Sequence, residues 1–210
     1  MYIKTILSVF LLILITSCKS DESTPENGDL DQTFINNLKD SELSEDQLIE
    51  KAKLFSEGWK EKNIKNGDML SCYNFTPKKD DIINSLKVNV GGGTDVVIKV
   101  MEVGTEKCIR YVFVGRDSSY DIKKLPESRY YLKIAYGKDW LSKIENGQCL
   151  GKFFKHSLYE KGEDIMDFNI IYNNDNSYSI PSFEISLDVI SSNNFNTFNS
   201  ATISEEEFNK

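Results

Sequence analysis

The order of apolar and polar positions changes character several times along the chain. Ile6 to Ile15 is a nearly unbroken apolar run, preceded by Lys4 and ending in Ile15-Thr16-Ser17-Cys18. Residues 19–31 then carry almost no apolar side chain. Beyond them Leu48, Ala52, Phe55 and Trp59 recur at helical spacing, which predicts one apolar stripe on an amphipathic helix. Ser44 and Gln47 stand at the separation of a capping box. Lys60, Lys62 and Lys65 suit a helix carboxyl end, and Gly67 is the expected stop. A shorter helical piece is expected around Phe34 to Leu38.

From Ile82 the period shortens to that of a strand. Leu86, Val88 and Val90 alternate with polar residues, and Gly91-Gly92-Gly93-Thr94 reads as a hairpin connection into Val96–Val103. Cys108–Val114 is β-branched and aromatic. Tyr130, Leu132, Ile134 and Tyr136 fall on one face of a strand over Arg129–Tyr136. Further strands are expected over Leu150–Lys155, Ile165–Tyr172 and Tyr178–Ile190, with Phe183, Ile185, Leu187 and Val189 facing inward in the last. Asn173–Asn176 has hairpin-turn chemistry, and Pro181 belongs near the start or edge of its strand. Arg110 and Lys133 lie within strands and are expected on the face opposite the core. The pattern predicts a mainly β fold, an antiparallel β-sandwich of about seven or eight strands with one N-terminal helix docked on it.

These shifts divide the chain into an apolar leader (1–17), an acidic tether (18–32), a helical segment (33–68), a sandwich (69–190) and a polar, acidic tail (191–210). The tail is expected to cover a sheet edge before fraying. The formal charge is −8, and removing residues 1–17 takes away Lys4 alone, leaving −9. That balance argues against nucleic acid as a partner, since such proteins present a basic face.

The apolar run is too short to span a bilayer and fits the h-region of a secretory signal. Its close, Ile15-Thr16-Ser17-Cys18, resembles a bacterial lipobox. The resemblance implies cleavage between Ser17 and Cys18, a diacylglycerol on the Cys18 thiol and an acyl chain on the new amino terminus. No other cofactor is implied, and the membrane becomes a partner through the lipid anchor. One acyl chain anchors marginally, whereas two or three hold a domain stably. Lys19 stands where enteric lipoproteins carry an inner-membrane retention Asp, which favours the outer membrane. Ser20-Asp21-Glu22 resembles the acidic export signal of surface lipoproteins in Bacteroidota. The tether has too little apolar surface to order itself. Farther on, Tyr120–Leu132 resembles the strand–turn–strand of carboxypeptidase-regulatory-like (prealbumin-like) sandwiches. Leu125, Pro126, Tyr130 and Leu132 match that pattern, and Ser128 stands where the family usually has Gly. Such modules stabilise, bind or present something and rarely catalyse.

Candidate chemistry is thin. Cys72, Cys108 and Cys149 would form at least one disulfide in an oxidising envelope, and the absence of a Cys-x-x-Cys pair argues against zinc. His156, the single histidine, follows Cys149 by seven residues; a Cys–His hydrolase would need the two in one cleft. Glu160, Glu163, Asp164 and Asp167 lack the spacing of a calcium loop, so no metal site is expected. Gly91-Gly92-Gly93 has no following Lys-Ser/Thr and is no phosphate loop. The aromatic residues of the middle region belong mostly to a core. The loop expected around Lys138, Asp139 and Trp140 is the candidate recognition tip for a glycan or an envelope protein. The functional expectation is a lipid-anchored, non-catalytic binding or structural module. The alternatives are an accessory subunit of an outer-membrane complex, using the helix stripe, and a hydrolase using carboxylates or Cys149.

Overall fold

The computed structural model describes residues 43–68, 79–188 and 199–210. The leader with Ser17 and Cys18, the tether, the helical piece expected at 34–38, Cys72, and Val189 with the start of the tail lie outside the described residues.

Helix α1 spans Glu45–Ser56 and opens with the expected capping box, Gln47 N donating to Ser44 Oγ at 3.3 Å and Ser44 N to Gln47 Oε1 at 3.1 Å. It ends at Gly58 rather than Gly67. Gly58 takes φ 90°, its N–H donates to Phe55 O, and Trp59 N donates to Leu54 O, both at 3.1 Å. That pair of back-bonds around a left-handed glycine terminates a helix, so Trp59 leaves it and Lys60–Glu61 forms a short strand, β1. Leu48, Ala52 and Leu54 are buried, and Leu54 and Trp59 pack with Leu141. The apolar stripe is turned toward the chain's own domain, with Phe55 half-buried at its edge.

The remaining elements are β2 (Ser85–Val90), β3 (Asp95–Glu102), β4 (Lys107–Val114), β5 (Ser118–Lys123), β6 (Arg129–Glu145), β7 (Gln148–Gly162), β8 (Met166–Asp167), β9 (Ile171–Tyr172), β10 (Tyr178–Ser179), β11 (Phe183–Leu187), β12 (Ser200–Thr202) and helix α2 (Glu205–Asn209). The larger sheet runs β12-β7-β6-β3-β4, with β1 and β8 also paired to β6. The smaller runs β11-β2-β5, and β9–β10 is a separate two-stranded ribbon. Between the two sheets lies one core. Val96, Ile98, Val100, Tyr130, Leu132, Ile134 and Tyr136 face Leu86, Val88, Ile122, Ile185 and Leu187 across it. The alternation of these residues in the sequence is therefore a faithful record of the sandwich interior.

Four expectations are corrected. Gly91–Thr94 does not close a hairpin: β2 is already flanked by β5 and β11, and β3 by β4 and β6, so the segment crosses from one sheet to the other. The pair β11–β2 is parallel, an exception in an otherwise antiparallel fold. The strand expected over 165–172 is interrupted, with β8 pairing to β6 and β9 to β10; the turn between β9 and β10 is where expected, with Asn173 N donating to Ser177 O at 2.9 Å. The tail covers the edge of β7 through β12, as expected, but it does not fray: it continues into α2, whose Phe208 is fully buried.

The dominant element is the β6–β7 hairpin, whose strands of 17 and 15 residues far exceed the expected lengths. Asn146 and Gly147 at its tip both have positive φ, 50° and 77°, the backbone that lets a two-residue turn match strand twist. A register shift after Tyr136 marks a bulge, and beyond Gly137 β3 no longer flanks β6 and β1 takes its place. There one face carries Trp140 and Phe153, the other Leu141 with Leu150 and Phe154 against α1. Gly151 is the close approach in this hairpin. A Cβ there would overlap the Trp140 indole and meet Tyr111 Oη at 2.9 Å. Gly151→Ala is expected to destabilise the protein by about 2 kcal/mol, the scale of an overpacked core, read as a lowered urea midpoint with unchanged slope; an unchanged midpoint would show that Trp140 can move aside.

Candidate functional site

Lys138, Asp139 and Trp140 do not form an exposed loop. They lie in β6 just past the bulge, with Lys138 and Asp139 half-buried and the Asp139 carboxylate 3.3 Å from Lys155 Nζ. Trp140 is 3% exposed and meets Phe153 edge-to-face at 4.8 Å, Tyr111 at 6.3 Å and Phe208 at 6.4 Å between ring centroids. Its Nε1 has no hydrogen-bond partner among the described residues, a cost of about 1–3 kcal/mol. Three ring contacts at about 0.5–1.5 kcal/mol each offset it. Trp140 is thus a core anchor and cannot stack on a ligand.

The cysteines divide. Cys149 is disulfide-bonded, and its partner lies outside the described residues. Cys108 is a free, half-buried thiol that donates to Arg110 O at 3.0 Å. Burial, only partly opposed by Lys99, pushes its pKa up to about 11, so at neutral pH it holds its proton and is a poor nucleophile. His156 is exposed with φ 53°. The acidic residues nominated for calcium serve local structure instead. Glu160 accepts from Tyr136 Oη at 2.9 Å, Asp164 from Asn199 N at 3.1 Å and Asp167 from Asn169 N at 3.0 Å. Among the described residues no group of three or more His, Cys, Asp or Glu is placed to hold a metal ion.

The densest unexpected chemistry lies on the outer face of the larger sheet. Lys99 of β3 stands directly opposite Lys133 of β6, which stands opposite Lys161 of β7. Like charges facing one another across strands repel, and Lys99 is 1% and Lys133 6% exposed. What makes the row tenable is the carboxyl end of α2, where backbone carbonyls carry partial negative charge and lack helical partners. Lys99 Nζ donates to Phe208 O at 2.6 Å, Lys133 Nζ to Glu207 O at 2.7 Å, and Gln148 Nε2 to Asn209 O at 3.0 Å. Aromatic faces add to this: Lys99 Nζ lies 5.2 Å from the Tyr111 ring and 4.8 Å from that of Phe208, and Lys161 Nζ lies 4.9 Å from Tyr131. The Phe208 ring fills a cup of Val97, Tyr111, Ala135, Trp140, Phe153 and Tyr159.

Lys133 was expected on this face; Lys99, Lys161 and Phe208 were not singled out. Their signal is in the register, which pairs residues distant in sequence. Arg110 is corrected. It lies opposite the inward-facing Val100 and therefore on the core side, where its guanidinium donates to the carbonyls of Ile109, Lys123 and Lys124. It ties β4 to the end of β5 beside a cleft of about 530 Å³, lined by Ile82, Ile83, Val112, Tyr120 and Ile122 with Lys79, Lys123 and Lys124 at its rim. A second exposed feature is the β9–β10 ribbon, which leaves Ile171, Tyr172 and Tyr178 57%, 75% and 62% exposed.

Burial draws the Lys99 ammonium down from 10.5 to about 8, with Lys133 adding to the effect and Cys108 opposing it. Between those values the unfolded chain holds a proton that the folded chain has released, so stability rises with pH. From about pH 7.5 to about pH 9 the native chain should gain about 1 kcal/mol relative to Lys99→Met, measured by denaturant unfolding of both. The Cys108 thiol works in the opposite direction near the top of this window and is present in both chains. Parallel pH profiles for the two chains would sink the assignment. No family model, curated protein or solved structure matches this chain.

Proposed function

We propose that this chain is an exported lipoprotein, acylated at Cys18, that holds a non-catalytic β-sandwich at the outer membrane as a binding or structural module. The observation that carries the exported part of this reading is the disulfide at Cys149, because such bonds persist in oxidising compartments and are rare in the cytosol. The lipobox-like Ile15–Cys18 supplies the anchor. Residues 19–31, acidic and nearly without apolar side chains, have the composition of a tether, too poor in apolar surface to offset its ordering entropy. Among the described residues no helix is long and apolar enough to cross a membrane.

The binding part of the reading draws on the β9–β10 ribbon. Its two tyrosine rings lie 6.4 Å apart at 50° and are largely exposed. Tyrosines with an apolar ring and a polar tip suit a wet interface with a glycan or an envelope protein. A hydrolase built on Cys149 lacks a thiolate, since that sulfur is in a disulfide, and the α1 stripe is engaged in packing on the chain's own domain through Leu54 and Trp59.

In cells fed an alkyne-tagged fatty acid, the native chain should carry the label and sediment with membranes, and Cys18→Ser should lose both. Label retained on Cys18→Ser would overturn the anchor. Tyr172→Ser combined with Tyr178→Ser should leave stability within about 0.5 kcal/mol, as surface changes do. Binding to glycan arrays or to isolated envelope should fall at least tenfold, and binding unaffected by the double change would remove the ribbon from the reading.

A further inference from the structure

The C-terminal arm, residues 199–210, behaves as a ligand of the sheet it lies on. Its contacts described above are with the larger sheet and with the loop that follows β7. Three residues of β12 pair with Gly162, Lys161 and Glu160 of β7, Ile203 N donates to Tyr159 O and Glu163 N to Asn199 O, both at 2.9 Å, and Gly151 N donates to Asn209 Oδ1 at 2.8 Å. Phe208 enters the aromatic cup, and the lysine row takes the last carbonyls. This is strand addition to a sheet edge combined with an aromatic anchor in a pocket.

The helix that presents Phe208 has five residues and no basic residue in its last turn. An isolated helix of that length does not form in water. Its start is satisfied by Ser204 Oγ, which accepts from Glu207 N at 3.1 Å, but its end is satisfied by side chains of the sheet. Helix and docking therefore form together. The arm joins the body through the twelve residues between Leu187 and Ser200, a connection that extends to about 40 Å at full stretch.

The seat that the arm fills cannot be left bare at low cost. Without the arm, three lysines in register would face one another beside an uncovered aromatic cup. A second copy of this chain offers the same strand, the same phenylalanine and the same helix end. We propose that the arm exchanges between copies, so that residues 199–210 of one chain fill the Lys99–Lys133 seat of another and pair with its β7 edge. The proposal concerns a contact between copies and does not rest on the anchor or on the tyrosine ribbon.

The test uses two full-length native chains with different affinity tags, mixed in detergent at high concentration, diluted, and captured through one tag. The second chain should be co-captured, and an excess of synthetic peptide 199–210 added during mixing should reduce co-capture at least tenfold. The same peptide with Phe208→Ala should leave it unchanged. Failure of co-capture would overturn the proposal. So would co-capture indifferent to the native peptide, which would place the contact elsewhere, or equal suppression by both peptides, which would remove Phe208 from it.

Discussion

An ammonium group taken out of water needs a fixed negative partner, and Lys99 and Lys133 find theirs in the end of a helix. Removing a charge from solvent costs several kcal/mol unless hydrogen bonds replace its hydration. The carbonyls of Glu207 and Phe208 provide that replacement at 2.7 and 2.6 Å. Much else follows from this contact. The helix that brings the carbonyls also brings Phe208, and its ring makes Tyr111, Trp140, Phe153 and Tyr159 interior residues. The larger sheet is consequently covered on both faces. Every residue of β3 from Val96 to Met101 is buried, regardless of the side to which it points. This is why Val96-Val97-Ile98 reads as an unbroken apolar run instead of an alternation, as strands covered on both sides do.

The sequence is most legible where a single strand or a single helix end decides the outcome. Ser44 and Gln47 announce the start of α1 because the two bonds of a capping box are local. Tyr130, Leu132, Ile134 and Tyr136 announce the core face of β6 because alternation is local too. Legibility fails where pairing decides. The Gly137 bulge shifts the register, so the second half of β6 begins with Gly137-Lys138-Asp139, which taken alone has the composition of a turn. That is how Trp140 comes to look like a loop tip while lying in a core. The true turn, Asn146-Gly147, carries the strongest short hairpin signal there is, and it sets the far end of both strands. The lysine row had no local mark at all. Three lysines dozens of residues apart acquire meaning only once β3, β6 and β7 are aligned.

The reactive groups of the described chain are committed to structure. Cys149 is bridged, Arg110 binds three carbonyls, and the tyrosine hydroxyls of 131, 136 and 159 are hydrogen-bonded to Glu106, Glu160 and Glu205. Burial raises the pKa of each of these phenols, and the neighbouring carboxylate adds to it. Each stays neutral through the physiological range. Among the exposed large apolar side chains of the described residues, Ile171, Tyr172 and Tyr178 sit together on the ribbon, while Ile49, Ile83, Ile144 and Ile165 lie elsewhere.

The parallel pair β11–β2 also places a condition on time. Leu86 of the central strand of the smaller sheet pairs with Phe183, 97 positions later, so that strand lacks one neighbour until the later segment has been made. Contacts that join such distant positions must overcome a large loop-closure entropy before any pairing rewards it, which slows folding. Until β11 arrives, β2 and β5 form at best a two-stranded ribbon, a unit of marginal stability in water. The smaller sheet is therefore complete only once β11 has paired with β2. A chain interrupted before residue 183 would lack the strand that completes the second layer and also the arm that covers the outer face of the first.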